Sequence, residues 1–130
     1  MNETTVETKA VGEGPVAAFF DACARDAIDE AVACFAEDGV WVTAEGPQPG
    51  AGTTYGRDEI HAYLVQVVQL RKQFESQGIQ AVFEPVMVLD DKQLITYSVR
   101  NAAGDVVDRG VDVFHLRDGL ILRKDVFRKA

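Results

Sequence analysis

Asp118-Gly119 sits between two apolar-rich runs, Arg109 to Arg117 and Leu120 to Arg128. Asp-Gly in that setting is the strongest short hairpin signal, because a two-residue type I′ turn needs positive φ at both central positions. Counting outward from the turn pairs Arg117 with Leu120, Leu116 with Ile121, Phe114 with Arg123 and Asp112 with Asp125. Directly opposed side chains share a face, with Cβ atoms about 5 Å apart. Two aspartates so placed repel, and the pairing calls for a shared proton, a ligand or a nearby cation. A three-residue turn with a bulge, or a bulge at Gly110, would move the register by one residue. The two carboxylates would then lie on opposite faces.

Upstream of the hairpin the periodicity is helical. Pro15 suits a first helical position, and Val16, Phe19, Phe20 and Cys23 form one apolar stripe. Asp26 is placed to cap a second helix carrying Ile28, Ala31, Val32 and Phe35, with Gly39 at its left-handed C-terminus. Val40 to Thr43 follows as a short strand, then a Gly/Pro-rich loop from Ala44 to Thr54, which is either a binding loop or a connector. A third helix is expected from Arg57-Asp58 to about Phe74, with Ile60, Leu64, Val67, Val68 and Arg71 on one face. Runs at 81–89, 93–100, 106–116 and 120–128 then read as an antiparallel meander. Helices before strands give an α+β class, with helices covering one sheet face. The last two strands are apolar at both alternating sets, so the second face needs a cover, and a partner subunit is the economical one.

A chain of 130 residues suffices for one domain with a core, expected over residues 15–130 after a loose tail at 1–14. The net charge of −8 disfavours nucleic acid and anionic membrane surfaces as partners. No apolar run reaches the ~20 residues of a membrane span, and the polar N-terminus lacks the pattern of a secretory signal, so a cytoplasmic protein is expected. Cys23 and Cys34 read as packed thiols. With two distant histidines, His61 and His115, and no CxxC, HExxH or Gly-rich phosphate motif, no metal and no cofactor is expected.

Three segments carry a family resemblance: Phe35-Ala36-Glu37-Asp38-Gly39-Val40-Trp41-Val42, Tyr55-Gly56-Arg57-Asp58-Glu59-Ile60 and Val113 to Ile121. Together they resemble the SnoaL-like branch of the nuclear transport factor 2-like superfamily, with ketosteroid isomerases, polyketide cyclases and limonene-epoxide hydrolases. The resemblance implies a cone-shaped α+β domain with a pocket between N-terminal helices and a curved antiparallel sheet, and usually a dimer. On the ketosteroid isomerase pattern, the oxyanion-hole tyrosine falls at Phe19 and the general base at Thr43, neither suited to the task. The protonated aspartate falls at Asp112. On the epoxide hydrolase pattern, Lys124-Asp125-Val126-Phe127 resembles the final strand and makes Asp125 the matching carboxylate.

The expected function is a small-molecule enzyme for an apolar cyclic substrate, using cofactor-independent carboxylate acid–base catalysis of an isomerase, cyclase or epoxide-hydrolase kind. Asp125 is the expected base, Asp112 the acid or oxyanion donor, and Arg123 their electrostatic partner. Tyr55, Trp41, Phe19 and Phe114 are the expected substrate lining. The alternative is a non-catalytic ligand-binding or dimerisation module. Either would be a homodimer joined through the sheet.

Overall fold

The computed structural model describes residues 7–9, 14–48 and 50–129. In chain order the elements are β1 (Glu7–Lys9), α1 (Gly14–Ala24), α2 (Ile28–Ala33), β2 (Phe35–Val42), β3 (Thr54–Gly56) and α3 (Arg57–Glu75). They continue as β4 (Gln80–Phe83), β5 (Val86–Val88), β6 (Lys92–Arg100), β7 (Val106–Arg117) and β8 (Leu120–Lys129). The fold is α+β: three helices on one face of an unclosed sheet ordered β1-β5-β6-β7-β8-β2-β3, with β4 also paired to β6. No helix among the described residues is long and apolar enough to cross a membrane.

The amphipathic stripes account for the helix packing. In α1, Val16 and Phe19 are buried, and Phe20 and Cys23 pack against the core. In α3, Ile60, Leu64 and Val68 are buried, and Arg71 reaches across to Cys23 O at 2.9 Å and Asp26 Oδ1 at 2.6 Å. Glu59 Oε1 accepts the Gly56 amide at 2.9 Å and closes the first turn of α3. The core centres on Phe19, Phe35, Ile60, Leu64, Ile95, Phe114 and Ile121, all fully buried.

Several sequence expectations are corrected. The second helix stops at Ala33 and the chain is already a strand at Phe35. The cause is non-local: β2 pairs parallel to β8, and Ile121 N donates to Cys34 O at 2.8 Å, so pairing captures residues whose local pattern is helical. The sheet is therefore mixed. Asp26 does not cap α2; it adopts φ 58° and binds Arg71 and Lys72 from α3. Gly39 is not a left-handed cap but a close-approach residue, since a Cβ there would lie 2.8 Å from Ile121 O. Within the expected N-terminal tail, Glu7–Lys9 forms a strand paired with Val86–Val88, and the rest of 1–13 lies outside the described residues.

Candidate active site

The turn forms as its sequence requires, with φ of 54° at Asp118 and 78° at Gly119. Arg117 pairs with Leu120 and Leu116 with Ile121, after which the register slips. Leu122 is the extra residue of a bulge: His115 now opposes Arg123, Phe114 opposes Lys124, Val113 opposes Asp125 and Asp112 opposes Val126. The expected Asp112–Asp125 pairing is thus replaced, because one inserted residue reverses the facing of every later side chain in β8. Gly110 is not the bulge. It pairs regularly with Tyr97 and Arg128, and a Cβ there would stand 2.4 Å from the Tyr97 hydroxyl.

The slip turns Lys124 inward. A cross-strand row then runs Gln93–Phe114–Lys124–Trp41–Tyr55 over β6, β7, β8, β2 and β3. Three of the four expected lining residues lie in that row, and the fourth, Phe19 of α1, packs onto it with its ring 5.6 Å from Trp41. Tyr55 stacks on Tyr63 at 4.3 Å, and Tyr63 meets the Trp41 ring edge-on at 5.0 Å. Asp112 lies diagonally from Lys124, and Lys124 Nζ sits 3.3 Å from Asp112 Oδ2. Both side chains are about 95% buried, at 5% and 4% exposure. The ammonium also lies 4.1 Å from the Trp41 ring centroid, 5.7 Å from Phe114 and 5.9 Å from Phe19.

The electrostatics follow from that burial. Desolvation pushes the Lys124 ammonium below the usual lysine range, against the opposing pull of Asp112. Burial raises the Cys23 thiol to about 11, against the neighbouring positive charge of Lys124. Burial, then the Asp112 and Asp108 charges, raises the Tyr97 phenol to about 12. Asp112 Oδ1 and Trp41 Nε1 are buried and find no hydrogen-bond partner among the described residues. The result is a carboxylate and an amine in a nearly dry aromatic shell, each with capacity to engage one more polar atom.

Asp125 and Arg123 lie on the opposite face of the sheet, 3.3 Å apart. Arg123, Asp38, Val40, His115 and Leu122 border an open concavity of about 500 Å³ there. Thr43 and Thr53 tie the base of the Gly/Pro-rich loop: Thr43 N donates to Thr53 O at 2.9 Å and Thr43 Oγ1 donates to Glu45 O at 2.9 Å. Two inner residues escaped the sequence reading. Tyr97 faces Phe83 and Gly110. Lys124 entered the sequence reading only as the neighbour of Asp125 in the final strand. The structure shows the slip directly, since Ile121 and Val126 both pack inward although their spacing is odd.

The family model of the SnoaL-like domain matches residues 16–124. The chain belongs to the SnoaL-like family. No curated protein sequence matches this SnoaL-like chain. Solved structures share its fold. One is a candidate polyketide cyclase from Sinorhizobium meliloti, 22% identical, covering 86% of this chain and 92% of its own, with a TM-score of 0.63. A second is TerC co-crystallised with polyporic acid, 18% identical over 88% of each chain, with a TM-score of 0.64. A third is a candidate SnoaL-like isomerase from Agrobacterium tumefaciens, 19% identical over 88% of this chain and 95% of its own, with a TM-score of 0.61.

Proposed function

We propose that this SnoaL-like protein is a cofactor-independent enzyme of the isomerase or cyclase kind. It moves a proton at an apolar cyclic substrate through the Asp112–Lys124 pair. The observation that carries this reading is the pair's burial. Taking two charges out of water costs several kcal/mol each, and apolar residues of similar size would generally stabilise the core as well or better. An ion pair held at that cost among Phe19, Trp41 and Phe114 is better explained by chemistry than by stability. Asp112 then acts as acid–base group, and Lys124 holds the developing negative charge on a substrate oxygen. Phe19, Trp41, Phe114 and Tyr55 line the substrate.

Entry is supported between α1 and β4. Phe83 is 45% exposed, its ring lies 4.9 Å from Phe20 and 5.5 Å from Tyr97, and Phe20 in turn meets Phe114 at 5.9 Å. Those rings pack in contact from the surface at Phe83 inward to Phe114 beside the pair, and a ligand would enter by parting them. The cyclase and isomerase labels of two structural neighbours, and the bound polyporic acid of a third, fit a ligand of this class. Asp125 and Arg123 stand outside this reaction, on the opposite face of the sheet.

The test is deuterium incorporation next to the carbonyl of a panel of cyclic ketones in D₂O, followed by NMR. Turnover with wild type and its loss in Asp112→Asn supports the reading. Incorporation that is equal in both proteins excludes it. The close packing of rings around the pair favours one second reading, a ligand-binding module, for which ketones would bind without exchange.

A further inference from the structure

We infer that Lys124 is a nucleophilic amine that captures an apolar aldehyde or ketone as a Schiff base, with Asp112 carrying the proton. The inference deepens the proposed function and rests on its premise that the interior admits an apolar carbonyl ligand.

Three features of the site support it. Nζ has three N–H donors, and Asp112 is the one carboxylate within 4 Å among the described residues, so the nitrogen is not locked in a full set of hydrogen bonds. Asp112 Oδ1, buried and without a partner, is a ready proton acceptor beside the amine. The ring faces of Trp41, Phe114 and Phe19 accommodate a cation, so they hold an iminium as they hold the ammonium. The depressed basicity of Lys124 acts in the same direction, since a desolvated lysine is the more easily made a neutral nucleophile. Cys23 of α1, beside Lys124, and Tyr97 of β6, beside Asp112, are titratable neighbours of the pair.

The step balances without any further reactant. The Lys124 ammonium hands a proton to the Asp112 carboxylate. The free amine attacks the carbonyl carbon, a C–N bond forms, and a nitrogen proton moves to the oxygen to give a carbinolamine. Asp112 returns its proton to that hydroxyl, the C–O bond breaks, and water leaves. The iminium faces the restored carboxylate, and its positive nitrogen draws electrons from the adjacent C–H bond.

The test treats the intact protein at neutral pH with 2-naphthaldehyde and sodium cyanoborohydride, which reduces an imine to a stable secondary amine. Peptide mass spectrometry then compares Lys124 with Lys9, Lys72, Lys92 and Lys129. Trp41, the single tryptophan of the chain, reports binding by fluorescence quenching beside Nζ. Labelling of Lys124 about tenfold faster than of any other lysine, with that preference lost in urea, is the expected result. Saturable quenching with the label spread over surface lysines overturns the amine and leaves the proposed function standing. Neither quenching nor Lys124 labelling overturns both.

Discussion

At Lys124 and Asp112 two terms compete. The attraction at 3.3 Å is strong in a dry interior, yet each ion has lost its hydration. Removing one partner strands the other, at a cost of about 3–5 kcal/mol. Asp112→Leu and Lys124→Met are each expected to lower the unfolding free energy by an amount of that order. The pair Asp112→Leu with Lys124→Met should lose much less than the sum, as a double-mutant cycle in urea would show. The pH dependence has a definite sign. The folded value of Lys124 lies below its ordinary 10.5, so between the two the unfolded chain binds the extra proton and stability rises with pH. Cys23 does the opposite. Its folded value of about 11 exceeds the ordinary 9.0, so its contribution is complete below pH 9 and is lost as pH climbs to about 11. Cys23→Ala should therefore flatten the alkaline fall of stability measured by urea melts at pH 8 and pH 11 under reducing conditions.

The elements show which parts of the fold are written locally. The Asp118-Gly119 turn, the stripes of α1 and α3, and the strand turns near Asp90 and Asn101 are all local signals, and each forms where its residues indicate. The bulge at Leu122 and the early start of β2 at Phe35 are not local. The β2 start depends on a parallel partner more than 80 residues away in the chain, through Phe35–Ile121, and the bulge decides that Lys124 is the residue opposite Trp41. That is why the aromatic lining was legible and the identity of its charged centre was not. Alternation brought Phe114 and Trp41 to one face, but one extra residue decided whether Arg123 or Lys124 joined them. Gly39 and Gly110 mark two of the tight spots within the sheet. Gly39→Ala would press its methyl against Ile121 O and Ala36 O, both backbone atoms, and is expected to cost about 1–3 kcal/mol in thermal or urea melts. Gly110→Ala would collide with Tyr97 and with Phe127 O, and should also displace the Tyr97 ring, visible as a shift of its NMR signals.

For the whole molecule, the helices cover the inner face and leave the outer one to its own resources. There the rows Leu94–Val113–Asp125–Val42 and Thr96–Val111–Phe127 run across the sheet, and Phe127 is 51% exposed. An apolar face of this kind fits association with a second copy. We propose such a dimer through this face, and Val113→Glu is then expected to shift sedimentation velocity to the monomer without unfolding the chain. A wild-type monomer at high concentration would remove that proposal and leave the inner site untouched.

The central claim is that Lys124 is an amine desolvated against Asp112 and three aromatic rings. Assigned carbon NMR of the lysine ε-methylenes, titrated from neutral to alkaline pH, measures it directly. The account predicts a Lys124 midpoint below 10.5, with a chemical shift dispersed by the rings around it. A midpoint at 10.5 would mean that the amine is solvated, and one above it that the pull of Asp112 outweighs desolvation; either would contradict the site as described.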